Sequence, residues 1–167
     1  PMIFWHLDDA LIRDWDRIIA EICQQEPVYF PGRHTSYHIL SSGFIIGEII
    51  RRVDGRSIGT FLREEMLDPM EMETFNYGID RQRWEQTARV ERVDELPPKF
   101  FINLISRLID VDLVEALSVM NRPSVFESAI PAGNIGGTAR ETSRFFQMLL
   151  DGGRWKDRRI MSERQVQ

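Results

Sequence analysis

Serine nucleophiles are the first chemistry to look for, because a hydroxyl becomes reactive only beside a base. One compact arrangement is Ser-x-x-Lys on a helix, which places the amine one turn from the hydroxyl. The chain has only two lysines, Lys99 and Lys156, and neither follows a serine by three residues. No Gly-x-Ser-x-Gly turn is present either. The sequence therefore predicts that neither kind of serine nucleophile is complete within these 167 residues.

Metal and phosphate sites are the next alternatives. No pair of the three histidines, His6, His34 and His38, shows the helical i, i+4 spacing with a glutamate that zinc hydrolases use. A glycine-rich loop at 133–138 precedes a predicted helix, but a phosphate loop needs a lysine after its last glycines, and this one continues with Ala139. We therefore expect a turn capped by Thr138, with no metal and no cofactor.

Tyr37 is the most interesting single residue. It follows a turn at Pro31-Gly32 and precedes an apolar helix, so a rigid element could hold its phenol at the edge of a cleft. A tyrosine in this position can equally be a packing residue, since its ring is a large apolar group. The residues alone leave both interpretations open.

Helical periodicity dominates the elements that would position these residues. Apolar residues at spacings of three and four predict an amphipathic helix from about Asp9, with Leu11, Ile12, Trp15, Ile18, Ile19 and Ile22 on one face. A second helix is predicted from Ser41 to Val53, with an apolar face of Phe44, Ile45, Ile46, Ile49, Ile50 and Val53. Further helices are predicted after Ser57, from about Phe100 to Leu117, and from Thr138 to Leu150 with the face Phe145, Phe146, Leu149 and Leu150.

The segments between these helices are predicted to contain only short strands, turns and loops. Thr74 to Ile79 is predicted as a short strand, the charged stretch from Arg81 to Leu96 as a solvated connection, and Asn121-Arg122-Pro123 as a helix break. A short extended piece ending near Met161 should lead into another helix start. The predicted fold class is α+β, mostly helical with few short strands.

Composition excludes several classes of function. With 43% hydrophobic and 28% charged residues, the chain can bury one core, and its net charge of −5 disfavours nucleic acid as a partner. Its apolar runs are shorter than a membrane span requires. The single Cys23 is expected to be a small buried side chain without a disulfide. The compartment stays open, with the cytoplasm favoured.

Two sequence blocks resemble the serine β-lactamase-like family, and within it the class C-related esterases known as family VIII carboxylesterases. The first block contains Asp14-Trp15, the Pro31-Gly32 turn, Tyr37-His38 and the run Gly43-Phe44-Ile45-Ile46-Gly47-Glu48-Ile49-Ile50-Arg51-Arg52-Val53-Asp54-Gly55-Arg56-Ser57, followed by Phe61 and Pro69-Met70. The second contains Ile130-Pro131-Ala132-Gly133-Asn134, Thr138-Ala139-Arg140, Phe145 and Gly152-Gly153. Together they cover roughly residues 11–80 and 128–167.

This resemblance implies a partial domain over residues 1–167: the mostly helical lobe of a β-lactamase/transpeptidase-like fold, with the main sheet largely missing. The family uses an acylated serine in Ser-x-x-Lys, a tyrosine, and a glycine-rich strand that holds the oxyanion. Tyr37 matches that tyrosine, and Asn134 is assigned to substrate binding. His38 is also assigned to substrate binding, with packing as the open alternative for its ring. The serine motif is expected upstream of this chain and the glycine-rich strand downstream of it.

The hypothesis that follows is a serine hydrolase that cleaves esters, with a small ester or acyl compound as substrate and Tyr37 as general base partner. Ile39 replaces the asparagine that contacts the substrate amide in β-lactamases and peptidases, which favours ester over lactam chemistry. Two alternatives stay open, a β-lactamase or peptidase of the same fold, and a non-catalytic helical binding module. Self-association through an exposed apolar face is a further expectation.

Overall fold

The first predicted helix is two helices. A computed structural model describes residues 8–27, 29–35, 38, 40–91, 98–103 and 119–167 of the chain. Helix α1 spans Asp9–Arg13 and helix α2 spans Trp15–Gln24. Asp14 separates them, because its carboxylate accepts a hydrogen bond from the Arg17 amide and so begins a new helix. The predicted apolar residues of both helices nevertheless lie in one core.

The next helices follow the prediction closely. Helix α3 spans Ser41–Asp54 and ends at Gly55, whose positive φ of 90° suits a glycine that terminates a helix. Helix α4 spans Ile58–Leu62, begins with the predicted Ser57 cap, and continues as a π-helical turn over Arg63–Leu67. Glycine therefore stops one helix and serine starts the next within three residues.

The predicted apolar face of α3 is wrong in most of its residues. Phe44 is buried, but four large apolar side chains of that face are 42–83% exposed: Ile45, Ile46, Ile49 and Val53. The buried residues of α3 are Ser41, Gly43, Phe44, Gly47 and Glu48. Apart from Phe44, the helix faces its neighbours with small residues and one carboxylate, because the segments next to Gly43 and Gly47 approach too closely for larger side chains.

Pro123 begins a helix instead of only breaking one. Helix α5 spans Pro123–Glu127, where the missing amide hydrogen of proline costs nothing because a first-turn amide has no helical partner.

Arg81–Gln86 forms a 3₁₀ helix within the predicted solvated connection, and the Trp84 indole donates a hydrogen bond to the Ile79 carbonyl just before this helix. Residues 99–103 are helical, and positions 104–117 of the helix predicted there lie outside the described residues.

Helix α6 spans Ala139–Leu150 and begins at Thr138, as predicted. Its predicted face is only partly correct, since Phe146 and Leu150 are exposed while Met148 and Glu141 are buried. Short strands precede and follow it in the chain. Strand β1 (Asn76–Tyr77) pairs antiparallel with β2 (Ile135–Gly136), and β3 (Arg154–Trp155) with β4 (Arg158–Arg159). Helix α7 (Glu163–Val166) follows, with a reciprocal cap between Ser162 and Gln165.

Two apolar clusters hold the described residues together. The first cluster joins α1, α2, α3, α5 and the following loop through Leu11, Ile12, Ile18, Ile19, Phe44, Val125 and Ile130. The methionine cluster joins the π-helical turn and α6 through Leu67, Met70, Met72 and Met148. Cys23 belongs to neither, and its predicted burial is wrong, because it lies on an exposed face near the end of α2.

The described architecture agrees with the predicted class, mostly helical with a few two-residue strands. Within the described ranges, no helix combines the length and the apolar character needed to cross a bilayer.

Candidate active site

The segment before α3 carries the predicted tyrosine. Tyr37 itself lies outside the described residues, as does Ile39. His38, between them, is exposed, and its Nδ1 lies 3.0 Å from the Ser41 hydroxyl oxygen. The His38 carbonyl accepts a 2.8 Å hydrogen bond from the Ser42 hydroxyl. Two contacts therefore attach His38 to the first turn of α3, and its predicted role in substrate binding stays a prediction.

Asn134 organises the loop between α5 and β2. Its Oδ1 accepts a 2.9 Å hydrogen bond from the Ile130 amide. Its Nδ2 donates to the carbonyls of Val125 and Ser128, at 2.5 and 2.7 Å. Both amide hydrogens are thus used by the backbone, so a substrate could interact only by donating to Oδ1. The structure gives Asn134 a role in holding the loop, and substrate binding by this residue stays a prediction.

This loop packs directly on the start of α3. A Cβ added to Gly43 would lie 2.2 Å from the Pro131 carbonyl oxygen, far inside van der Waals contact. A Cβ added to Gly133 would lie 3.1 Å from Leu40 Cδ2. The glycines at these positions allow two backbone segments to touch where side chains would separate them. The loop that contains Asn134 is therefore adjacent to the residues that follow Tyr37.

Ala132, at the tip of the same loop, has a positive φ of 73°. This left-handed conformation is unfavourable for a residue with a Cβ, and neighbouring contacts must maintain it. The Pro131 contact with Gly43 and the Asn134 hydrogen bonds supply those contacts. The loop therefore holds one fixed shape beside the candidate site.

Glu48, within the first sequence block, was not assigned a role from the sequence. Trp15 Nε1 donates to its Oε2 at 2.9 Å, and Arg51 and Arg52 donate to both carboxylate oxygens at 2.7–3.0 Å. The hydrogen bonds from Arg51, then those from Trp15 and Arg52, outweigh burial and lower the pKa of Glu48 to about 2. A charged carboxylate thus connects α2 to α3. The sequence signal for this connection is the glycine next to the glutamate in Gly47-Glu48. Glycine is needed there because a Cβ at Gly47 would lie 2.6 Å from the Trp15 ring.

Glu141 is a second buried carboxylate, and no sequence pattern indicated its role. Its Oε1 accepts hydrogen bonds from the amides of Glu73 and Thr74, and its Oε2 accepts from the Thr74 hydroxyl. Burial raises the pKa of Glu141, but the hydrogen bonds from Thr74 and Glu73 outweigh burial, and the net pKa lies below its usual range. Thr-x-x-Glu at 138–141 is a helix-start pattern, yet this glutamate connects α6 to the segment before β1.

Tyr77 lies opposite Ile135 in the β1–β2 pair, next to the Asn134 loop. Burial raises the pKa of its phenol, which makes it a poor base at neutral pH. Among the described residues, no group of three or more His, Cys, Asp or Glu side chains is placed to hold a metal ion.

Comparisons with known proteins agree with this geometry. The family model described as "Beta-lactamase" matches residues 2–167. A penicillin-binding protein homolog from Caulobacter crescentus has a similar structure, with a TM-score of 0.72 and 24% identity over 96% of this chain and 43% of that chain. EstA from Arthrobacter nitroguajacolicus Rue61a has a TM-score of 0.66 and 18% identity over 88% of this chain and 40% of its own. The chain thus spans less than half of either structure. A search of curated proteins gave no match.

Proposed function

Since this chain belongs to the beta-lactamase family and carries a partial, mostly helical part of that fold, we propose that it is part of a serine hydrolase that cleaves esters. The reaction would pass through an acyl-enzyme, with Tyr37 as the general base partner. The chain has no serine followed three residues later by lysine. The nucleophile is therefore proposed to belong to a segment that these 167 residues do not include.

One observation carries the proposal: the two sequence blocks that resemble the family also pack together. Residues of the first block at the start of α3 contact residues of the second block in the Asn134 loop, through Gly43 with Pro131 and Leu40 with Gly133. The contacting residues lie about 90 residues apart in sequence. Rigid contact between distant segments is what a site for positioned acid–base groups needs.

The proposed chemistry divides hydrolysis into two transfers. A serine hydroxyl attacks the ester carbonyl, its proton passes to Tyr37 in its base form or to the lysine partner, and the alcohol leaves with a proton. Water then attacks the acyl-enzyme, and the carboxylic acid is released while the serine recovers its proton. Ile39 supplies no amide for a substrate peptide bond, which supports ester over lactam substrates.

The test is hydrolysis of short-chain p-nitrophenyl esters, with nitrocefin as the lactam probe, by the protein that contains this chain together with the serine and glycine-rich blocks. The Tyr37→Phe variant should lower kcat by roughly 10²–10⁴-fold, because acid–base groups contribute about that much. Its thermal stability should be nearly unchanged. Nitrocefin should be a far weaker substrate than the esters.

Tyr29→Phe is the matched control, because Tyr29 is exposed and its described contact is a ring contact with His34 rather than a hydrogen bond of its phenol. Its kcat should equal that of the unmodified protein. A Tyr37→Phe variant that loses stability and keeps its kcat would show that Tyr37 is a packing residue. The 167-residue chain alone should show no ester turnover, and clear turnover by it would overturn the assignment of the nucleophile to another segment.

A further inference from the structure

A cavity of about 510 Å³ opens on a part of α3 that the proposed function does not use. Its volume is within the range of small-molecule sites. Gly47 and Arg51, its α3 residues, lie about 9 and 15 Å along the helix from Ser41, at 1.5 Å per residue. The rest of the lining comes from α1, α2, the end of α5 with the two residues after it, and the start of α4.

One wall of the cavity is apolar and partly flat. The Trp15 ring contacts Gly47, where a Cβ would be 2.6 Å from its Cη2 atom, and Ile58 Cδ1 would lie 3.5 Å from the same Cβ. Ile12 and Ala129 extend this wall. An aromatic ring bordered by aliphatic side chains suits a planar apolar group, which would stack on the indole.

Polar groups with unused donors line the same cavity. Arg51 uses Nε and Nη2 for Glu48 and Asp16, and its Nη1 makes no hydrogen bond to a described residue. Arg13 uses Nη1 for Glu127, and its Nε and Nη2 have no bond to a described residue. The Ser128 hydroxyl likewise has no hydrogen-bond partner in the described ranges. Guanidinium and hydroxyl donors of this kind suit a carboxylate oxygen.

The charge around the cavity also favours an anion. The charged residues of the lining are Arg13, Arg51 and Glu127, which leaves one net positive charge. Glu127 is already engaged by Arg81 and Arg13, which lower the pKa of its carboxyl and keep it ionised. The acids near the cavity are thus paired, whereas two arginines keep unused donors.

We propose that this cavity binds a small monocarboxylate with a planar apolar body. The carboxylate accepts hydrogen bonds from Arg13 and Arg51, and the apolar body packs between Trp15 and Ile58. The proposal is independent of the proposed ester hydrolysis.

Isothermal titration calorimetry with 2-naphthoate, and with its neutral amide 2-naphthamide, tests both halves of the proposal. Naphthoate should bind at least about tenfold more tightly than naphthamide, because only its carboxylate can accept charge-assisted hydrogen bonds from the guanidinium groups. Arg13→Gln should weaken naphthoate binding by about tenfold. Arg63→Gln is the matched control, since Arg63 is similarly exposed and pairs with one acid, Asp68, outside the cavity. It should bind naphthoate unchanged.

Ala129→Phe should abolish binding by filling the cavity, with a thermal melt to show that the variant is folded. If that variant does not fold, the Arg13→Gln and Arg63→Gln pair still decides the question. Acid and amide of equal affinity would overturn the proposal, as would equal binding by the Arg13→Gln and Arg63→Gln variants. Naphthoate binding that is retained by a folded Ala129→Phe variant would place the ligand elsewhere and also overturn it.

Discussion

The two buried glutamates show how two regions of this molecule stabilise a buried carboxylate differently. In the α2–α3 region, Glu48 faces two guanidiniums and an indole, so cationic side chains supply most of its hydrogen bonds. In the α6 region, Glu141 faces two backbone amides and a threonine hydroxyl, all neutral donors. Both arrangements lower the pKa of the carboxyl, but only the first keeps counter-charges beside it.

The two regions also differ in how closely their segments pack. In the α2–α3 region, α3 meets its neighbours through Gly43 and Gly47, where a Cβ on either residue would clash with the neighbouring segment. In the α6 region, flexible methionines fill the space around Leu67. The first region thus depends on fixed backbone contacts and charged groups, whereas the second depends on adaptable side chains. The candidate active site is built on the first, as a site that needs precise geometry should be.

Gly43→Ala should have the largest effect on stability. The added methyl group meets the Pro131 carbonyl oxygen, a backbone atom that cannot rotate away, so we expect the free energy of unfolding to fall by about 3 kcal/mol in urea titrations. Gly59→Ala is the control, because its nearest neighbour would be 3.8 Å away and alanine favours a helix by roughly 0.5–1 kcal/mol. Equal effects of the two substitutions would contradict the close contact at Gly43.

Replacing each buried glutamate by glutamine should lower the free energy of unfolding by different amounts in the two regions. A guanidinium and an indole can only donate, so the new amide group of Glu48→Gln faces a donor, and we expect a loss of about 2 kcal/mol in the free energy of unfolding. The Thr74 hydroxyl can reverse and accept from the amide, so Glu141→Gln should lose less than about 1 kcal/mol. Losses in the reverse order in urea titrations would be evidence against this explanation.

Local signals explain which elements could be predicted from the sequence. Ser57, Gly55 and Thr138 act within one turn of their own position, and the helix boundaries that they predict are confirmed. Asp14 and Pro123 are also local signals, but each can either end a helix or begin one. Their ambiguity produced the merged first helix and the omitted α5.

Contacts between distant segments explain what could not be predicted. Hydrophobic periodicity assigned Ile45, Ile46 and Ile49 to the buried face of α3, because it does not record how closely a neighbour approaches. Gly43 and Gly47 face the partners instead, and only the position of Pro131 and Trp15 reveals why. The resemblance identified the two blocks of the candidate site, whereas the contact between them required the structure.

Removing the N-cap of α6 should lower the stability by a smaller amount. Thr138 accepts a hydrogen bond from the Glu141 amide, and its replacement by alanine should lower the free energy of unfolding by about 1 kcal/mol. Thr142→Ala is the matched control within the same helix, because the Thr142 hydroxyl only returns to the Thr138 carbonyl on an exposed surface. It should leave stability unchanged or raise it slightly. A loss at Thr142 as large as that at Thr138 would argue against a capping role.

The pH dependence of stability should give the smallest effect, and it tests the electrostatics of the α2–α3 region. Glu48 has a pKa of about 2 in the folded chain, against an ordinary value of 4.5, because Arg51, Trp15 and Arg52 favour its charged form. A folded pKa below the unfolded one means that its contribution is complete above pH 4.5 and is lost as the pH falls from 4.5 towards 2. Glu141 acts in the same direction. Urea titrations at pH 7 and pH 4 measure the first part of this loss. Between these two pH values, the free energy of unfolding should fall less in the Glu48→Gln variant than in the unmodified chain, because the variant has no carboxylate at this position. Identical losses in both proteins would show that Arg51 and Arg52 do not hold the carboxylate in its charged form.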